Sequence, residues 1–154
     1  MTTRVANLAD INELVNLRLV NAAYHAGLLK NVAVKKTAEA YFFNHTQKCI
    51  GEERSTIIVG ELENKVIAYA IGQIEDQHPV LDFGNQATID DVFVSPSFEQ
   101  KGYGQTLVKE LMKWFKDKGI DRVDLNVYTS NPKGSAFWDK LEFRAMFRRM
   151  FKQL

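Results

Sequence analysis

The sequence predicts an α/β or α+β chain, a single mixed sheet with helices on both faces, and three observations lead there. Helical periodicity occupies the first third of the chain before any strand pattern appears. Two runs rich in β-branched and aromatic residues, Ser55–Gly60 and Lys65–Ile71, flank a polar turn and read as a hairpin. Between Ala87 and Tyr128, a strand pattern, an amphipathic helix and a second strand pattern then alternate. Elements in this order pack as layers around one sheet. At 154 residues the chain is one domain's worth, read as a single domain spanning 1–154.

The first helix is expected to start at Asp10, an N-cap with Glu13 three residues on, followed by Ile11, Leu14, Val15, Leu17 and Leu19 at helical spacing. A second helix is expected from about Thr37 through His45, with Ala38, Tyr41 and Phe42 on one face. Glu63-Asn64-Lys65 supplies the hairpin turn, and Glu75–Asn85, with Pro79 and Gly84, reads as a loop. Ala87–Val94 is a strand closed by Ser95-Pro96. From Gly104 a helix sets Leu107, Val108, Leu111, Met112, Trp114 and Phe115 against a lysine-rich opposite face and ends at Gly119. Asp121–Tyr128 alternates as a strand, with Val123, Leu125 and Val127 on one side. Asn131 caps the next helix, and Pro132 at its first position has no amide hydrogen to leave unbonded. The tail from Phe143 to Lys152 reads as one or two final strands.

Composition excludes several classes. The chain is 45% hydrophobic and 25% charged, enough apolar material for a substantial core and too much for disorder. Twenty basic against nineteen acidic residues leave a net charge of +1, with no bulk attraction to nucleic acid or an anionic membrane. The lone Cys49 excludes an internal disulfide and reads as an inert thiol. His25, His45 and His78 have no metal-ligand spacing, so no metal is expected and all three read as structural or surface residues. Neither a signal-peptide core nor a bilayer-length apolar run is present, and a soluble cytoplasmic domain is the expectation.

The chemistry is carried by Val92-Phe93-Val94-Ser95-Pro96-Ser97-Phe98-Glu99-Gln100-Lys101-Gly102-Tyr103-Gly104-Gln105-Thr106. A strand leads through a short loop into a helix whose first turn holds two glycines. Gly102 and Gly104 allow tight turning and close backbone approach, and the helix start offers unpaired amides to phosphate oxygens. Lys101 adds a charge and Thr106 a hydroxyl donor. The stretch lacks the Gly-Lys-Ser/Thr ending of a nucleoside-triphosphate loop and the third glycine of a dinucleotide fingerprint.

Glu99-Gln100-Lys101-Gly102-Tyr103-Gly104, followed by the Asn131 helix ending in Trp138-Asp139-Lys140-Leu141-Glu142-Phe143, resembles the GNAT superfamily of acyl-CoA-dependent N-acetyltransferases. The family pattern is Gln/Arg-x-x-Gly-x-Gly/Ala. Glu99 departs from its first position, where a carboxylate would repel a pyrophosphate, and is expected to turn away. The resemblance implies a sheet of six to seven strands with a splay between the central parallel strands. It also implies acetyl-CoA as cosubstrate, held by Val92, Phe93 and Val94, by amides from Gln100 to Gln105, and by Asn131, Ser135 and Trp138. A primary amine of a small molecule or peptide would attack the thioester directly.

An ammonium has no lone pair, so a base is needed. Asp90 aligns with the acidic residue often used in the family, and strand alternation is expected to send Asp91 to the opposite face. Trp138 stands where the family usually has a tyrosine acid, and an indole does not release its proton near neutrality. Water, Tyr128 or Tyr103 is then the proton donor to the thiolate, with Tyr128 ranked first. The acidic loop residues Glu75, Asp76 and Asp82 and the aromatics Tyr24, Tyr41, Phe42 and Phe43 are candidate walls for the acceptor. The alternative reading is a catalytically degenerate acyl-CoA sensor or interaction module, supported by Glu99 and Trp138. The basic-aromatic tail suggests RNA binding, but its two-residue alternation fits a strand or a homodimer contact better.

Overall fold

The computed structural model describes residues 1–153. Its strands are β1 (Thr2–Val5), β2 (Ser55–Leu62), β3 (Lys65–Ile74), β4 (Gln86–Val94) and β5 (Arg122–Leu125). Its helices are α1 (Ile11–Gly27), α2 (Ala38–Gly51), α3 (Tyr103–Asp117) and α4 (Pro132–Lys140). The five strands lie in sequence order in one sheet, antiparallel from β1 to β4 and parallel between β4 and β5.

Strand alternation builds a core on each face. Ile57, Val59, Tyr69, Ile71 and Phe93 pack with Leu14 of α1 and Cys49 of α2. Ile58, Ala68, Ala70, Ala87 and Ile89 face the other way, onto Leu107, Val108, Leu111 and Phe115 of α3. The hairpin turn closes through Glu63 and Asn64, whose φ angles of 51° and 61° suit a two-residue turn matched to sheet twist.

Two irregularities in β4 position everything that follows. Its pairing with β5 stops at Ile89 opposite Leu125, while β4 itself runs on to Val94. The outer backbone edge of Asp90–Val94 is therefore left without a strand partner, and β4 and β5 splay apart there, at the edge of the described sheet rather than between central strands. Against β3, Ile71 pairs with Asp91 and Gly72 with Ile89, which leaves Asp90 as the extra residue of a β-bulge.

Several expectations are corrected. Among the described residues there are five strands, not six or seven. Residues 144–153 form no strand, and Met146, Phe147, Met150 and Phe151 stay exposed, Phe151 at 95%. β5 ends at Leu125 rather than Tyr128, so Val127 and Tyr128 lie in the connection to α4. The second helix runs to Gly51, and β1, with no apolar pattern of its own, adds an edge strand through its pairing with β2.

Asp10 does not cap α1. Asn7 caps a short 3-10 turn at Leu8–Asp10, accepting from the Ala9 amide at 2.9 Å, and the Asp10 carboxylate reciprocates by accepting from the Asn7 amide at 2.8 Å. Arg4 claims both carboxylate oxygens of Asp10 at 2.7 and 2.8 Å. That pairing holds the Asp10 carboxyl below the usual carboxylate range. A lowered folded-state pKa stabilises the fold above the unfolded carboxyl value and loses that contribution as pH falls through the folded value. Asp10→Asn should therefore cost about 1–2 kcal/mol at neutral pH, limited by solvent screening of the half-exposed Arg4. Urea titrations across the acid range should show a smaller loss of stability on acidification for the variant than for the parent.

Candidate active site

The splay opens a cleft of about 450 Å³. Ile89–Val94 of β4 form one side and Leu125–Val127 the other. The loop and first turn of α3 close one end, α4 contributes Asn131, Lys133, Gly134, Phe137, Trp138 and Lys140, and α1 supplies Val20, Asn21, Tyr24 and His25.

The β4 edge facing the cleft carries usable hydrogen-bonding groups. The Ser95 amide donates to the Ile67 carbonyl at 2.9 Å, which assigns alternate residues, Phe93 and Asp91, to the β3 side. Val92 and Val94 therefore direct their amides into the gap. At the loop, Gly102 caps α3 with φ of 80° and Gln100 has φ of 60°, both in the left-handed region. Among the described residues, the backbone amides from Gln100 to Gln105 find no acceptor, and helical bonding resumes with the Thr106 amide on the Gly102 carbonyl at 3.1 Å. A run of free donors at a helix start is an anion cradle. Gly104 has a different reason to be glycine: an added Cβ would lie 3.3 Å from the Phe137 ring, so its absence lets α3 pack on α4.

Of the predicted residues, Asp90, Val92, Phe93, Val94, Gln100, Gly102, Tyr103, Gly104, Gln105, Asn131 and Trp138 line the cleft. Four do not. Lys101 lies over the Phe98 ring, 5.4 Å from its centroid. The Thr106 hydroxyl is spent on the Gly102 carbonyl at 3.3 Å, and that of Ser135 on the Asn131 carbonyl at 3.1 Å. Tyr128, half exposed, packs beside His25 instead. Glu99 does not turn away: it lines the cleft and its carboxylate is paired with the Lys133 ammonium. Asn131, buried, accepts from the Gly134 amide at 2.9 Å and from the Tyr24 hydroxyl at 3.1 Å, tying α1 to α4 across the cleft.

The bulge overturns the expectation that Asp90 and Asp91 face opposite ways. Inserting Asp90 breaks the two-residue period, and both carboxylates point to the α1/α2 face and line the cleft. They differ in what they hold. Asp91 accepts from Asn21 Nδ2 on Oδ1 and from the Tyr69 hydroxyl on Oδ2, each at 2.7 Å, and burial raises its pKa. Asp90 accepts from Gln73 Nε2 on Oδ2 at 3.1 Å, with His45 Nε2 3.7 Å from the same oxygen. No protein donor reaches Oδ1 of Asp90 among the described residues.

Behind Asp90 sits a polar cluster that spacing alone did not reveal. Arg18 donates to His45 Nδ1 at 3.0 Å, and Cys49 Sγ lies 3.6 Å from that same nitrogen. Burial and the Arg18 charge lower the His45 pKa, and burial raises that of the Cys49 thiol, which disfavours the reactive thiolate. His25, read from sequence as structural, lines the cleft one turn beyond Asn21. Recognising Asn21 and His25 from sequence would have required knowing which face of α1 meets β4.

Comparison with known proteins places this architecture. The family model described as Acetyltransferase (GNAT) family matches residues 20–143. A glucosamine 6-phosphate N-acetyltransferase of Trypanosoma brucei brucei is 39% identical over 62 residues, covering 40% of each chain. The ribosomal protein bS18-alanine N-acetyltransferase of Escherichia coli K12 is 31% identical over 88 residues, covering 56% of this chain and 54% of that one. The chain thus spans about half the length of the curated relatives it matches, or less. Among solved structures, a mutant of the BH1408 protein from Bacillus halodurans superposes with a TM-score of 0.84 at 21% identity, covering 100% of this chain and 99% of that one. The aminoglycoside N-acetyltransferase AAC(6')-Iy in complex with CoA gives 0.77 at 17%, covering 99% and 93%. At these identities the superpositions establish the fold alone. With the family model covering four-fifths of its length, and with a splay between parallel strands and an amide cradle beside it, the chain belongs to the GNAT acetyltransferase family.

Proposed function

We propose that this chain is an N-acetyltransferase that moves the acetyl group of acetyl-CoA to a primary amine of a small molecule or peptide. The observation that carries the reading is two sets of unpaired backbone donors, Val92 and Val94 on β4 and Gln100–Gln105 at the start of α3, along a cleft that also holds a carboxylate with a free oxygen. The cradle amides suit a diphosphate, and the β4 edge suits the amide-bearing pantetheine arm as an added strand would. Acetyl-CoA supplies an activated acyl carbonyl and a thiolate leaving group. A β4 amide facing the gap polarises that carbonyl.

Asp90 is the base. Its Oδ2 is held by Gln73 while Oδ1 stays free, whereas both oxygens of Asp91 are already committed. Asp90 takes one proton from the acceptor ammonium, the amine nitrogen bonds to the acyl carbon, the carbon–sulfur bond breaks, and the second proton lost by the nitrogen passes through water or a phenol to the departing thiolate. Tyr103, which lines the cleft, takes the place of Tyr128 as the candidate phenol. Trp138 packs edge-on between Phe137 and Phe143 as a wall. The free oxygen of Asp90 favours turnover over a mere sensor. We also infer that two copies associate through the exposed apolar tail, in a cytoplasmic setting; among the described residues no helix is long and apolar enough to cross a membrane.

Three measurements test this. Thiol release with a panel of amines should be detectable for the parent chain, and Asp90→Asn should cut kcat by about 10²–10⁴-fold with CoA affinity unchanged. Full activity in that variant would remove Asp90 from the mechanism. A Cβ added at Gly102 meets no neighbouring atom, so Gly102→Ala should fold, yet forcing a side chain into the left-handed conformation costs about 1–2 kcal/mol and should weaken CoA binding about tenfold. Sedimentation should give a dimer that Phe147→Asp with Phe151→Asp converts to monomer; a parent monomer at micromolar concentration contradicts the association.

A further inference from the structure

Glu99 is an unusual neighbour for a diphosphate cradle. It lines the cleft, immediately precedes the free amides, and its carboxylate is held by Lys133 from the first turn of α4. Both side chains keep substantial exposure, 33% for Glu99 and 59% for Lys133. An ion pair this exposed contributes little to stability, so releasing it is cheap. The other lysine in the loop is diverted: Lys101 sits over Phe98 and does not line the cleft. Lys140, the remaining lysine lining it, lies two helical turns along α4 from Lys133.

Resting on the acetyl-CoA reading above, we propose that Lys133 is the side-chain cation that binds the cofactor's diphosphate, and that Glu99 is an internal anion competing for it. Without ligand, Lys133 neutralises Glu99. With a diphosphate in the cradle, the ammonium exchanges a weak carboxylate partner for a doubly charged one, and the Glu99 carboxylate is left as a repulsive neighbour that lowers affinity. The pair is therefore an affinity brake built into the cofactor site. No bond is made or broken in the exchange.

Calorimetric titration of CoA into four purified chains tests this: the parent, Glu99→Gln, Lys133→Met and the double variant. Removing the carboxylate should tighten CoA binding about fivefold at low salt, and removing the ammonium should weaken it by a similar factor. The double variant, with the same local net charge as the parent, should return to parental affinity. These differences should shrink at 0.5 M salt, where the Debye length falls to a few ångströms. Dephospho-CoA, which keeps the diphosphate, should preserve the order, and S-acetyl-pantetheine, which lacks it, should bind all four chains alike. If Glu99→Gln binds CoA no tighter than the parent, or if the order persists with S-acetyl-pantetheine, the pair is only a structural strap and the proposal is overturned. Failure of every folded chain to bind CoA would instead bring down the acetyl-CoA reading beneath it.

Discussion

A strand that continues past its neighbour must do something with its backbone. β4 runs five residues beyond its last pairing with β5, so Asp90–Val94 have one edge bonded to β3 and the other facing a cleft. Buried amides and carbonyls that lack partners are costly, and native structures almost always satisfy them. Here they open onto the cleft of about 450 Å³ that the parted strands line. The cleft, its two ends and the roles of its walls all depend on that unfinished ladder.

The second dependence is the bulge. One extra residue in β4 brings two carboxylates to the same face, where alternation would have separated them. Asp91 then serves the architecture, joining Tyr69 of the sheet to Asn21 of α1. Asp90 is left half exposed, anchored by a single oxygen and backed by the Arg18–His45 contact. The same local defect therefore separates a structural carboxylate from one available for chemistry.

How much of this was legible in the sequence follows from the range of the forces involved. The Gly102 turn, the Asn131-Pro132 helix start and the hairpin at Glu63-Asn64 are local, and each residue's own conformational preference announced it. The bulge left no mark because Ile89–Val94 keeps a strand-like composition whether or not Asp90 is paired. Alternation misled twice more: Asp121–Tyr128 reads as a strand to its end, yet β5 stops where its neighbour veers off, and the Phe143–Lys152 tail alternates without finding a ladder. Contacts that span the chain, such as Glu99 with Lys133, Tyr24 with Asn131 and His45 with Asp90, join residues whose meeting is set by helix packing.

The most direct test of the unfinished ladder is amide hydrogen exchange followed residue by residue by NMR, with and without acetyl-CoA. Val92, Val94 and the amides from Gln100 to Gln105 should exchange markedly more slowly when the ligand is present, while Phe93, already bonded to β3, should change little. Ligand uptake that leaves the Val92 and Val94 amides exchanging at their free rate would contradict that expectation, because the parted strand edge would then not be what grips the molecule.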